Sequence, residues 1–189
     1  MVALPLASVA RAASIMPVSS GINAELFSRA QAALARHADR ITLTDRVGLV
    51  DFAQASRSPR FHIVDMASGH VRSLLVAHGR GSDPEHSGWV ERFSNEPGSN
   101  ASSAGAYLTG DAYSGAHGAS RRLIGLDAGN SNAEMRAIVI HAAAYVGPEV
   151  IAMQGKLGRS EGCLAVSPAD IASVLDVMGA GRLIYADRV

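Results

Sequence analysis

The apolar residues of this chain come in short runs. Residues 47–52, 60–66, 70–77, 106–109, 121–127, 137–140, 164–166 and 182–186 are rich in β-branched and other apolar side chains, with turn-forming residues between them. Runs of that length suit strands and are too short for helices. Ala67-Ser68-Gly69 separates two of the runs and reads as a hairpin turn, so residues 47–77 predict a β-meander. The runs at 121–127 and 137–140 read as central strands. His62 and His70 fall within strands and read as ordinary exposed or hydrogen-bonded side chains.

Two segments follow a helical period instead. Asn23 is a suitable N-cap, and Leu26, Ala30, Ala33, Leu34 and His37 then recur on one face, which predicts an amphipathic helix ending near Ala38. Ser167-Pro168-Ala169-Asp170 places a capping Ser before Pro at the first helical position, with Asp three residues after the cap. That helix is expected to run to about Met178 and stop at Gly179-Ala180-Gly181. Residues 78–120 are dominated by Gly, Ser, Asn, Pro and His, and so predict loops around one short strand at 106–109. Trp89, Phe93, Tyr107 and Tyr113 within this segment argue that the loops are ordered.

With 189 residues, the chain fits one medium domain able to bury a core without staples. Its 17 basic and 17 acidic residues cancel and form no basic run, which argues against nucleic acid or an anionic membrane surface as partner. The opening MVALPLASVARAA is apolar and ends in small residues, like the end of a signal peptide before its cleavage site. Residues 1–20 are therefore read as a signal-peptide remnant or disordered N-terminus, which implies export, and residues 21–189 as a single domain. No stretch has the length and apolarity of a transmembrane segment.

The chain has one cysteine, Cys163. An internal disulfide and a cysteine-cluster zinc site are both excluded. A lone cysteine is most commonly a small buried hydrophobe, but its neighbours give this one a second reading. Gly162 directly before it permits an unusual backbone angle and a close approach of substrate, and Ser160 lies two residues before that Gly. In such a turn, backbone N–H groups converge where they can stabilise an oxyanion. The apolar residues 164–166 would hold the turn rigid. A cysteine nucleophile needs a base, because a free thiol ionises only near pH ~8.5. His141, at the end of the 137–140 run, is the candidate. Its orienting partner would be a backbone carbonyl or Ser160.

His141 followed at a distance by Ser160-Glu161-Gly162-Cys163 resembles the His…Ser-x-Gly-Cys signature of the L,D-transpeptidases (YkuD-like). Phe93 to Ser103, Arg122 to Asp127 and Asn130 to Arg136 resemble the murein L,D-transpeptidase catalytic domain subfamily. The resemblance spans residues 47–187. It implies a mainly β (α+β) fold, a β-sandwich or cradle with a few peripheral helices. It implies that Cys163 attacks a peptidoglycan tetrapeptide stem at the carbonyl of its third residue, usually meso-diaminopimelate, and expels the terminal D-Ala. His141 would carry the proton, and an amine acceptor or water would resolve the acyl-enzyme. Gly162 and Cys163 would supply the oxyanion N–H groups, carbapenems would acylate Cys163, and no metal or organic cofactor is implied.

The sequence departs from the family's commonest form at Glu161, Ala165 and Ala142, where His, Arg or Asn, and Gly are usual. A cation is then needed to hold substrate carboxylates, with Arg159, Arg121, Arg122 and Arg80 as candidates. His78 at a strand end, Asn95 and Ser102 are further candidates to line the cleft, while His86 and His117 read as loop surface. Two other readings compete. One is an L,D-carboxypeptidase with the same Cys163/His141 pair, and the other is a catalytically silent envelope-binding domain.

Overall fold

The computed structural model describes residues 21–189, and the reading of residues 1–20 as a targeting segment lies outside them. Three α-helices (α1 Ala24–Arg36, α2 Pro148–Gln154, α3 Ile171–Val177) accompany eight strands: β1 Arg46–Asp51, β2 Phe61–Asp65, β3 Val71–Leu74, β4 Gly105–Gly115, β5 Gly118–Gly125, β6 Val139–Ala142, β7 Leu164–Val166 and β8 Leu183–Asp187. They form one sheet in the order β3-β2-β1-β8-β4-β5-β6-β7. The expected meander is present, with β1, β2 and β3 antiparallel in turn. The β1–β8 and β6–β7 pairs are parallel.

The sheet curls until its two ends meet. The Ala77 N–H, just beyond the β3 edge, donates to the Ala165 carbonyl of β7 at 2.9 Å. Inside the curl lies the main core, drawing Val50, Phe61, Ile63, Tyr107, Leu123, Ile140, Val166 and Ile184 from seven strands, with Val174 of α3 and Met178 just after it. Each such apolar side chain, fully buried, contributes on the order of 1.5–3 kcal/mol. This is the cradle that the sequence resemblance implied.

Helix α1 covers the outer face of the sheet. Asn23 caps it through its side-chain oxygen, which accepts from the amides of Glu25 and Leu26 at 2.9 and 3.2 Å. Leu26, Phe27, Ala30 and Ala33 are buried against Val47, Leu49, Val64, Leu183 and Tyr185. The helix ends at Arg36 with His37 as its cap, slightly before the expected Ala38.

Three expectations need correction. The loop-like stretch after residue 105 is a long antiparallel hairpin, β4–β5, closing at Gly115 opposite Gly118. Its outer arm is built of small and polar residues, so strand pairing holds it without an apolar alternation to announce it. Helix α3 begins at Ile171, because Ser167 to Asp170 forms a separate turn in which Ser167 Oγ donates to Asp170 Oδ2 at 2.7 Å. The strand expected at 137–140 is displaced to Val139–Ala142, because Ala137 adopts a left-handed conformation with φ 52°. Helix α2 carried no clear signal in the sequence.

Candidate functional site

Residues 158–163 form the turn that delivers Cys163 to the start of β7, and it is held from three sides. Ser160 Oγ donates to the Cys163 carbonyl at 2.7 Å and accepts from the Gly162 amide at 3.2 Å. The segment leaving β3 lies alongside, with the Ser160 N–H on the His78 carbonyl at 2.9 Å and the Arg80 N–H on the Ser160 carbonyl at 2.8 Å. Beneath is the Arg136 guanidinium, which reaches the Ser94 carbonyl and Ser103 Oγ at 2.8 and 2.7 Å and also the Ala101 carbonyl.

Glycine is required at two positions here. Gly162 has φ 115°, and a Cβ there would lie 2.7 Å from the Ala101 carbonyl oxygen. A Cβ on Gly79 would lie 2.3 Å from the Asn100 oxygen and 2.8 Å from the Gly162 Cα. Neither contact is tolerable, so the two backbones pack face to face only because both residues lack side chains.

Cys163 and His141 open on one cavity of about 340 Å³, lined also by His117, Arg136, Ala137, Tyr145, Arg159, Ser160 and Glu161. Parallel pairing of β6 with β7 brings them there, since His141 lies opposite Ala165, two residues beyond Cys163. The Cys163 thiol donates to the Ala137 carbonyl at 3.6 Å. His141 is 3 % exposed, and its Nδ1 lies 2.9 Å from the Ala142 carbonyl. A carbonyl can only accept, so Nδ1 carries the hydrogen and Nε2 keeps the lone pair. The orienting group is thus a backbone carbonyl, with Ser160 engaged in the turn instead.

Burial pushes the Cys163 thiol above its ordinary range, against the opposing pull of the Val139 amide and the Arg136 charge. Burial also lowers His141, helped by the neighbouring His117 and opposed by the Ala142 bond. Both shifts favour the uncharged forms, so at rest the cavity is lined by a neutral thiol and a neutral imidazole.

The other candidate residues divide clearly. Arg159 lines the cavity while donating to the Asp83 and Pro84 carbonyls. Arg80 stands at the rim, paired with Glu161 at 2.8 Å, both side chains largely exposed. His78, Asn95 and Arg121 are not brought to the cavity. His78 is fully buried between Arg60 and Asp83. Asn95 ties its own loop to Ala128, Ser131 and Asn132. Arg121 donates to the Gly110 and Leu175 carbonyls. Arg122 lies over the Tyr113 ring, and Ser102 accepts from the Gly79 amide at 2.9 Å. Gly162, expected to offer an oxyanion N–H, directs it to Ser160 Oγ, because Ser160 folds back across the turn.

Sequence reasoning missed three cavity residues, Arg136, His117 and Tyr145, the last without any local signal in the chain. Arg136 lies within a block noted only for its resemblance, and its acceptors at residues 94–103 are remote in the chain. His117, read as loop surface, is carried by the β4–β5 hairpin onto His141, the ring centroids 4.3 Å apart and 24° from parallel.

A curled sheet that brings a thiol and an imidazole from parallel neighbouring strands to one cavity defines a protein with a cysteine–histidine site. The family model described as the L,D-transpeptidase catalytic domain matches residues 18–186, and the chain belongs to that family. Among solved structures it is similar to an L,D-transpeptidase from Mycobacterium smegmatis (16% identity, TM-score 0.44, covering 76% of this chain and 58% of that one). It is similar as well to L,D-transpeptidase 3 from Mycobacterium tuberculosis (15%, TM-score 0.46, 76% and 61%). A third is the helical cell shape determining protein Pgp2 from Campylobacter jejuni (12%, TM-score 0.49, 88% and 57%). The chain thus spans about three fifths of the length of these structures. No curated protein matches it.

Proposed function

We propose that this chain is the catalytic domain of a cell-envelope cysteine acyltransferase that acts on peptidoglycan stem peptides. The observation that carries the reading is the shared cavity of Cys163 and His141, with the His141 hydrogen fixed on Nδ1 so that Nε2 is free to accept a proton. In this reading residues 21–189 are the working domain and the periplasm is its compartment, in keeping with a family that works on the cell envelope. Among the described residues, no helix is long and apolar enough to cross a membrane.

His141 Nε2 takes the Cys163 proton as the sulfur attacks the stem carbonyl. The carbonyl electron pair moves onto oxygen, where the Cys163 amide stabilises it, since the Gly162 amide is held by Ser160. Collapse breaks the C–N bond, and the imidazolium passes its proton to the departing D-Ala amine. An acceptor amine then attacks the thioester, and its proton returns to sulfur through His141. Because the resting pair is neutral, proton transfer accompanies attack, and no thiolate is stored beforehand. Arg159 and Arg136 supply the positive charge at the cavity for the substrate carboxylates, and Arg159 takes the role for which four arginines were candidates.

Intact-mass measurement after exposure to a carbapenem tests the reading. The wild-type chain gains one adduct, and Cys163→Ala gains none. An unmodified wild-type chain, or an adduct that survives in Cys163→Ala, would refute it.

A further inference from the structure

The β4–β5 hairpin reaches beyond the sheet that it belongs to. Its register shifts between Thr109 and Ala112, and the arm past that irregularity, residues 111–119, is mostly exposed. A bulge of this kind bends a strand and re-aims what it carries. Here the arm carries His117, between Gly115 and Gly118, to the wall of the Cys163 cavity. Ser120 of the same hairpin pairs with His141, which fixes the arm over β6. His117 is itself exposed, yet it covers an imidazole that is only 3 % exposed.

We propose that His117 is a positioning residue for His141: its ring, presented by the bent hairpin arm, lies flat on the His141 ring and holds that imidazole in one plane beside Cys163. The inference rests on reading Cys163 and His141 as the working pair. The Ala142 carbonyl constrains only one edge of the His141 ring, and rotation about its last side-chain bond is soft. A second ring with centroid separation 4.3 Å restricts that rotation. The stack also disfavours a charge on His141, since two imidazolium rings at this separation would repel. The titratable and charged groups facing the cavity with His141 are His117 from the hairpin, Arg136 before β6, Tyr145 after it, and Arg159, Glu161 and Cys163 from the turn. Burial pushes Tyr145 up to about 12, so it stays neutral through the range in which a histidine titrates.

Alkylation of Cys163 by iodoacetamide, followed by intact mass, measures this without a peptidoglycan substrate, and NMR titration of the His141 ring nitrogens reports the imidazole directly. His117→Ala is expected to slow alkylation near neutral pH about tenfold, a fraction of what general-base catalysis supplies, and to raise the pH at which His141 titrates. His117→Phe, which keeps a flat ring, is expected to restore most of the rate. The proposal is overturned if His117→Ala alkylates and titrates like wild type, or if His117→Phe fails to restore the rate. His141→Gln separates the two levels of the reading. If it alkylates at the wild-type rate, the pair itself is wrong; if it is slow while His117→Ala is fast, only the role of His117 fails.

Discussion

His78 and His141 are both buried histidines beside the Cys163 turn, 0 % and 3 % exposed, and they differ in what their ring nitrogens touch. Both nitrogens of His78 are occupied. Nδ1 accepts from Arg60 Nη2 at 2.7 Å, and Nε2 donates to Asp83 Oδ2 at 3.1 Å. Asp83 in turn accepts from the Ser87 and Gly88 amides at 2.6 and 2.8 Å. His141 has one nitrogen on a backbone carbonyl and lines a cavity. Burial alone does not separate a structural histidine from a chemical one. The partners do: both His78 nitrogens are held by buried groups away from the cavity, so no nitrogen is left to exchange a proton there.

That contrast can be broken by substitution. His141→Gln should lower carbapenem acylation by about 10²–10⁴-fold, the usual worth of a general base, with an unchanged melting curve. A melting temperature that falls with the activity would make His141 a structural residue like His78. Asp83→Ala should do the reverse. It leaves the buried His78 Nε2–H and the Ser87 and Gly88 amides without their acceptor, at a cost of about 1–3 kcal/mol in urea unfolding. Unaltered stability would mean that water enters and satisfies the gap.

Acid sharpens the comparison. Burial and the Arg60 charge push His78 down to about 4 from an ordinary 6.5. The unfolded chain therefore takes up a proton that the folded chain refuses. The stability His78 contributes is complete above about pH 6.5 and is lost as the pH falls towards 4. Urea midpoints measured between pH 7.5 and 4.5 should decline through this window. A flat profile in wild type would show that His78 is not held neutral. The smallest effect is expected at the rim, where Arg80 and Glu161 form an exposed pair. Arg80→Ala should change stability by less than about 1 kcal/mol, and larger losses would mean that the pair braces the turn.

Much of the site could be read from the chain because its signals are local. Gly162 before Cys163, with Ser160 two residues earlier, announced a strained turn, and His141 followed a short apolar run. The frame around them was also local: Asn23 starts α1, and the runs at 47–52, 60–66 and 182–186 became β1, β2 and β8. What stayed hidden depends on long-range approach. Arg136 reaches acceptors 33 to 42 residues away. His78 looks like a cleft residue at a strand end until Arg60, 18 residues earlier, closes over it. His117 sits in a Gly- and Ser-rich stretch, and only the bent hairpin reveals where it points.

The sheet order carries a consequence for how the molecule is made. Strand β8 lies between β1 and β4, so the central seam of the sheet is supplied by the last of the described strands to be synthesised. Before residues 183–187 leave the ribosome, the earlier strands form two flaps with no ladder joining β1 to β4. Pairings this distant in sequence form slowly, so the two halves of the sheet are joined late, when β8 is inserted between them.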